Sequence, residues 1–354
     1  MARTSPAIHS CSFVAAPHGP LGELSLMTWQ LFHGTEQEWD DIVVRLGATT
    51  PFQLSAWARF RQSFGWHSIR LLTSEGAAAV QMLVKPVGPA RIAWAPGAPL
   101  GCVSTELLRE LAGEVKRFVG GAVVYLRLAD HHSLDQSRVE SFKLAGWSPC
   151  STALGGTATL VRSLDQTSQP VSDSYSGNWS RNLRRGTQRG ITATAWDTPD
   201  SVLVASMHGD VEDIKEAFHA EWRSDSGAIR HLLEAFGERL VMVRAQDATG
   251  TIHSVRAAVV VGTNAFDFLA ATSRDGRKLY ASNVALDALL TILASRGVTT
   301  YDFGGVDRVN NKGVFDFKHG AGGRELSYTG DFEAAAPRLA KPVISKLMSL
   351  RLSA

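Results

Sequence analysis

Apolar positions along this chain recur with two different periods, and segments of one kind alternate with segments of the other. MTWQLFHG predicts a strand, and EQEWDDIVVRLG and PFQLSAWARFRQSFG space their apolar residues as helices do. SIRLLTSEGAAAVQMLVKPV predicts a hairpin turning at Glu75–Gly76, and RIAWAPGAPLG a short strand interrupted by Pro96 and Pro99. STELLRELAGEVKRFVG predicts a helix with Ser104 as its N-cap and a glutamate in its first turn. AVVYLRLAD follows as a buried strand and SRVESFKLAGW as a helix.

The second half repeats this grammar. YSGNWSRNLRRGTQRG predicts a basic helix, ITATAW a strand, and DSVLVASMHGDVEDIKEAFHAEW a helical region. Strands are predicted at RLVMVRAQD, IHSVRAAVVVG and AFDFLAATS, then a helix at SNVALDALLTILASRG and a strand at TTYDFGGV. A loop carrying Lys318 (GVFDFKHGAGG), a strand ELSYTGDF and a basic C-terminal helix APRLAKPVISKLMSLRLSA complete the pattern. LLRELAGEVKRFVGGAVVYLRLAD and ALDALLTILASRGVTTYDFGGVD share one plan: amphipathic helix, glycine stop, buried strand ending at an acid. This predicts two similarly built α/β halves. The expected division is a loose extension over 1–22, a first domain of 23–153 plus 334–354, and a second of 154–333. The boundary falls where STALGGTATLVRSL runs into the polar linker DQTSQPVSDS.

Composition narrows the function classes. At 354 residues the chain has length for two domains, and its 44% hydrophobic and 20% charged residues are ordinary for a globular protein. A net charge of +2 predicts no general affinity for polyanions, so a nucleic-acid contact has to come from a local patch. Cys11, Cys102 and Cys150 lie far apart with no metal-ligand spacing and read as reduced thiols of a cytosolic protein. The N-terminus lacks a signal-peptide core, and no apolar run reaches membrane-spanning length.

One basic patch stands out. Arg181, Arg184 and Arg185 fall at i, i+3 and i+4 and Arg189 at i+8, with no acid between Asp173 and Asp197. Such a stripe suits phosphate contact, and it equally suits a solvated face or a domain-interface set of ion pairs. In QLSAWARFRQSFGW, Arg59 and Arg61 flank the region of Trp57 and read either as a phosphate grip or as arginines lying along an amphipathic helix. There is no Walker loop, no GxGxxG after a strand, no HExxH and no GxSxG. His131–His132 and His9 with His18 lack further ligands, so no metal site is read. SRDGRK, residues 273–278, is a weak candidate for the pyrophosphate loop of an acyl-CoA enzyme, since it holds one glycine. The remaining chemistry sits near Lys318, a cation past a strand that holds Asp302 and Gly304–Gly305, followed by Gly320, Gly322 and Gly323. A cation framed by close-approaching backbone can stabilise developing negative charge.

These pieces together resemble the FemABX family of aminoacyl-tRNA-dependent transferases, which are built from two acetyltransferase-like (GNAT) domains. The resemblance runs over roughly residues 35–335 through FQLSAWARFRQSFGW, YLRLAD, SRNLRRGTQRGI and LYASNVALDALL. It is most specific in YDFGGV followed by FDFKHGAGG. It implies transfer of an amino acid from its tRNA ester to an amine, foremost on the peptide of a peptidoglycan precursor. No cofactor or metal is needed, because the ester is already activated. The other readings of the same fold are a tRNA-dependent amide ligase of secondary metabolism and an acyl-CoA-dependent acetyltransferase of exopolysaccharide biosynthesis. Carried over by motif, Phe317 and Lys318 lie at the reaction centre. Arg59 or Arg61 grips precursor phosphate, and Tyr280 lies near the nucleotide or peptide. Arg223 and Asp130 match family substrate-binding positions with an offset. The arginine stripe (Arg181, Arg184, Arg185, Arg189) is assigned to tRNA. The implied partners are aminoacyl-tRNA and a small amine acceptor, with no DNA and no membrane insertion, for a cytoplasmic monomer. FKHGAGG lacks the second aromatic usual after FK, and Ser282 stands where the family has proline. Region 200–240 has no heptad-patterned insertion, so no coiled-coil arm is expected.

Overall fold

The computed structural model describes residues 27–151, 154, 156–165, 170–212, 225–342 and 345. The N-terminal extension, Arg223 and the last nine residues of the expected C-terminal helix (346–354) lie outside the described residues.

The first half runs β1 (Trp29–Leu31), α1 (Glu36–Arg45), α2 (Ser55–Gln62), β2 (His67–Thr73), β3 (Ala78–Val87) and β4 (Ala90–Pro96). It continues with β5 (Leu100–Gly101), α3 (Thr105–Val119), β6 (Val123–Ser133), α4 (Gln136–Leu144) and β7 (Ser148–Pro149). The second half runs β8 (Ala158–Ser163), α5 (Gly177–Gln188), β9 (Thr192–Ala195), α6 (Ser201–Glu212), α7 (Ser226–Phe236), β10 (Leu240–Gln246) and β11 (Ile252–Val261). Then come β12 (Asn264–Thr272), α8 (Arg274–Lys278), α9 (Ala281–Ser295), β13 (Thr300–Gly305), α10 (Lys312–Gly320) and β14 (Arg324–Ala336).

Local chemistry explains most element ends. Thr35 and Glu38 form a capping box at α1, and the Ser104 hydroxyl accepts from Leu107 N at 3.2 Å to start α3. Helix α3 then buries Leu107, Leu108, Leu111 and Val115 along one face. Helix α7 was not anticipated from the pattern, although its signals are ordinary. Asp225 caps it, Ile229, Leu232 and Phe236 face the core, and Gly237 ends it.

The strands follow one path, β1-β2-β3-β4-β6-β14-β8-β13-β12-β11-β10-β9, with β5 beside β3 and β7 beside β14. β14 carries the path from one half to the other. Arg324–Ser327 pairs antiparallel with β8, and Tyr328–Ala336 pairs antiparallel with β6. Each half contains one parallel pair spanned by a helix: β4 and β6 with α3, β12 and β13 with α8 and α9. The two pairs differ in a way that matters. β4 stays paired with β6 over the whole of Ala90–Pro96, whereas β12 pairs with β13 only over Asn264–Phe266. Beyond Phe266 the second pair opens as a wedge, while the first has no such opening.

Three apolar cores result. One lies under α3 and α4, and one lies between α9 and strands β10, β11 and β13. The third joins the halves, packing Trp39, Trp57 and Phe60 against Ile229, Leu232, Phe236 and Leu269. Among the described residues the longest helices are α3 and α9, each of 15 residues, and no coiled-coil arm is present. No helix among them is long and apolar enough to cross a membrane.

The expected loop around Lys318 is instead helix α10. Its glycines lie at the edges of the helix, and Phe315 and Phe317 supply an apolar face that packing can hold. Gly320 ends α10 where a Cβ would come within 3.2 Å of both Ser176 Oγ and Trp179 Cδ1, so glycine lets α5 approach. SRDGRK likewise forms a short helix, α8, capped by the Ser273 side chain.

Candidate active site

Strand β13 sends Tyr301 and Phe303 into the core beneath α9, and presents Thr300, Asp302 and Gly304 on its other face. Gly304 has φ +70°, and a Cβ there would meet Asp267 O at 3.3 Å. A glycine is therefore needed to turn the chain at the open end of the wedge. That turn exposes two carbonyls, and Lys318 Nζ donates to Gly305 O at 3.0 Å and Gly304 O at 3.3 Å. The ammonium is half-buried and held at the strand end by backbone.

Its helix is fixed from below. Phe317 lies 6.0 Å from the Trp179 ring, and the Arg256 guanidinium stands 5.5 Å over the Phe317 ring. Arg256 is itself buried in an ion pair with Asp267. At the end of α10, Arg162 Nη1 donates to Ala321 O at 2.5 Å, and its other terminal nitrogen reaches Val171 O. Ser176 N donates to Gly320 O at 2.8 Å, which ties the start of α5 to the end of α10.

Asp302 stands beside this centre, 7% exposed. Its Oδ1 accepts from the Thr159 hydroxyl and from Gly304 N at 2.8 Å, and Tyr328 OH approaches Oδ2 at 3.4 Å. Burial pushes the carboxyl up to about 6, against the opposing pull of those donors and the Lys318 charge. Asp302 lines a cavity of about 250 Å³ between the halves, together with Thr50, Gly97, His131, Thr300 and Tyr328. His131 stacks on Tyr328 at 4.6 Å, and neither of its ring nitrogens has a hydrogen-bond partner. Burial pushes its imidazole down to about 4, so it is neutral at pH 7.

The residues named from the sequence fall into separate groups. Lys318 and Phe317 share the centre described above. Tyr280, at φ 59°, joins the arginine stripe: its hydroxyl accepts from Arg185 at 3.3 Å, and Arg189 lies 5.0 Å over its ring. Arg189 also donates to Lys278 O. Arg181, Arg184, Arg185 and Arg189 are all exposed. Arg59 pairs with Glu36 and donates to Ala235 O at 2.7 Å, fastening α2 to α7. Arg61 is 8% exposed, with its guanidinium 5.5 to 5.7 Å from the rings of Trp57, Phe64, Trp66 and Trp94. Asp130 is buried and bound by Arg138 and by His132 at 2.6 Å. Burial alone raises its carboxyl, but those two partners outweigh it and hold it below the ordinary value. By accepting from His132 N at 3.1 Å, Asp130 also fixes the strand end that presents His131. Thr159, Arg162, Arg256 and Tyr328 carry no motif of their own, and the sequence pattern did not single them out.

Two like α/β halves, each with a helix-spanned parallel pair and one opened as a wedge, define a tandem GNAT fold. No known family profile and no curated protein matches the chain. Among solved structures it is similar to FemX, with a TM-score of 0.73 and 15% identity over 86% of this chain and 96% of that one. It is also similar to a tandem GNAT protein from the clavulanic acid biosynthesis pathway, at TM-score 0.56 and 13% identity over 88% of this chain and 98% of that one. L-PGS from Bacillus licheniformis aligns at TM-score 0.50 and 14% identity over 84% of this chain and 91% of that one. At these identities the likeness is one of fold, and the expected resemblance to FemABX architecture holds at that level.

Proposed function

We propose that the protein is an aminoacyltransferase, moving an amino acid from aminoacyl-tRNA to an amine acceptor, foremost the peptide of a peptidoglycan precursor. The observation that carries this reading is the half-buried Lys318 ammonium, held by Gly304 and Gly305 carbonyls at the open end of the wedge. As the amine attacks the ester carbonyl, negative charge grows on the carbonyl oxygen and then on the departing ribose oxygen. A prepositioned N–H donor at that point is worth about 10²–10³ in rate. Phe317 keeps α10 packed while this happens. The reaction draws on no cofactor or metal, since the ester already carries the activation.

The RNA is assigned to Arg181, Arg184, Arg185 and Arg189, with Tyr280 as a ring between two of them. Bidentate guanidinium contacts suit phosphates, and the hydrogen bond from Ser176 to Gly320 O makes this helix a direct neighbour of α10. Arg59, at 43% side-chain exposure, is the better placed of the α2 pair for an acceptor phosphate, since Arg61 is packed among four rings, while Asp130 holds the strand end that presents His131. Action in the cytoplasm follows from the location of charged tRNA.

The acyl-CoA reading is less favoured by the turn after β12. Gly276 N is taken by Ser273 Oγ at 3.0 Å, Arg277 N by Ser273 O at 3.0 Å, and Leu279 N by Asp275 O at 3.0 Å. Few N–H groups are left for a pyrophosphate, and the Asp275 carboxylate repels one. The test is to supply labelled aminoacyl-tRNAs and candidate amine acceptors and follow the label. Transfer abolished by prior RNase treatment supports the reading. Transfer from acyl-CoA alone refutes it.

A further inference from the structure

We propose that Asp302 takes the proton from the attacking amine, and that the cavity between the two halves receives the arm carrying this amine. The inference rests on the aminoacyl-transfer reading and assigns the proton acceptor that reading needs. A primary amine is an ammonium at neutral pH, with a pKa of about 10.4. It reacts only after losing one proton, and the nitrogen loses a second as the amide forms. Lys318 is a cation and cannot take either. Among the residues lining the cavity, Asp302 is the one carboxylate.

Its two oxygens are in different situations. Oδ1 is held by Thr159 and Gly304 N, while Oδ2 has the long 3.4 Å approach of Tyr328 OH, and the residue lines the cavity. The same glycine gives its N–H to Asp302 and its carbonyl to Lys318. The base and the oxyanion donor are thereby held to one residue of backbone. With its carboxyl at about 6, Asp302 is ionised at pH 7 and still basic enough to be an effective general base. The groups facing it are Lys318 from α10, Tyr328 from β14, Thr159 from β8 and neutral His131 from β6. The unpartnered ring nitrogens of His131 in the wall of this cavity are a second sign that it is shaped for a polar guest. About 250 Å³ is less than the roughly 300–1,000 Å³ of sites for drug-sized ligands, so it admits an arm of the acceptor and not the whole. Leu100, Val161 and Leu326 in its wall suit the alkyl part of a lysine-like side chain.

The step balances. The ammonium first releases one proton through Asp302 to water. The amine lone pair forms the C–N bond, and the N–H proton passes to Oδ2. Collapse breaks the C–O bond, its electron pair goes to the ribose oxygen, and that oxygen takes the proton back from Asp302.

The test is single-turnover transfer to a nucleotide-linked stem peptide with a free lysine amine, between pH 5 and 8, with aminoacyl-tRNA and acetyl-CoA as alternative donors. The wild-type rate is expected to rise about tenfold per unit between pH 6 and 8, with the fraction of neutral amine, and about a hundredfold per unit below about pH 6, where Asp302 is protonated as well; this steeper part is the acid limb. Asp302→Asn is expected to slow transfer by about 100-fold or more at pH 7 and to lose the acid limb. The Asn Oδ1 still accepts from Thr159 and Gly304, so the fold is retained. Thr159→Val gives a second reading, because removing a donor to the charged form moves the acid limb to higher pH. An Asn variant within threefold of wild type, or an acid limb that Thr159→Val does not move, overturns the assignment. Transfer from acetyl-CoA alone refutes the tRNA donor while the Asp302 test still runs, and transfer from neither donor overturns both.

Discussion

Replacing Lys318 by methionine separates catalysis from folding. The alkyl stem stays, and what is lost is an ammonium bonded to two carbonyls at 3.0 and 3.3 Å. Gly305 is exposed, so its carbonyl is rehydrated, while the buried Gly304 carbonyl loses a partner and buried Asp302 loses a nearby cation. A hydrogen bond to a charged group is worth about 1.5–3 kcal/mol when buried, and half-exposure reduces the stability cost here to about 1 kcal/mol. That corresponds to a fall in Tm of roughly 2–4 °C. Transition-state charge at the same position is a different matter, and losing one prepositioned donor costs about 10²–10³ in rate. Lys318→Arg restores charge but spreads it over a plane too broad for the seat between two carbonyls, so most of the rate stays lost. The assay is single-turnover transfer at saturating substrates beside a thermal melt of each variant. Near-normal transfer by a folded Lys318→Met protein refutes the argument and leaves α10 a packing helix.

Three further outcomes are expected. Arg184→Ala with Arg185→Ala should weaken aminoacyl-tRNA binding and lower the magnitude of the log–log salt slope by about 2, while acceptor binding is unchanged; a constant slope in a filter-binding titration counts against tRNA contact. Asp302 has a carboxyl raised to about 6, so its contribution to stability is fully present below the unfolded value near 3.8 and is lost as pH rises through about 6. Asp302→Asn should therefore raise Tm at pH 8 while it lowers activity, and calorimetry at pH 8 and pH 5 should show the gain shrinking at the lower pH. His131 has the opposite sign: its imidazole is depressed to about 4, so stability present above its ordinary 6.5 is lost as pH falls towards 4. His131→Phe keeps a ring against Tyr328 and should flatten that acid loss in denaturant titrations at pH 6.5 and 4.5.

Neighbouring residues determined the local grammar of this protein. Thr35 with Glu38, and Ser104 with Leu107 N, start helices through side chains three positions from their partners, so short windows reveal them. The common plan of the two halves was legible for the same reason, since an amphipathic helix, a glycine stop and a buried strand are each written within about one element's length. Lys318 and Asp302 also stood out, as charged residues beside glycines near a strand end. Helix α10 did not, because glycines argue for a loop until Phe315 and Phe317 find Trp179 and Arg256 to pack against. Nor did the double role of β14, whose alternation says which face is buried but not that β8 covers its first part and β6 the rest.

The cavity lay furthest from view. Asp302 meets Thr159 across 143 positions and Tyr328 across 26, and His131 enters the same wall from the other half of the chain. Its carboxyl near 6 and the neutral His131 are products of burial, which removes the water that would otherwise set both. Arg59 and Arg61 make the same point from the opposite side. Their sequence context is one basic pair beside a tryptophan, yet one fastens α2 to α7 and the other sits among four rings, because only packing decides which arginine is left to meet a ligand.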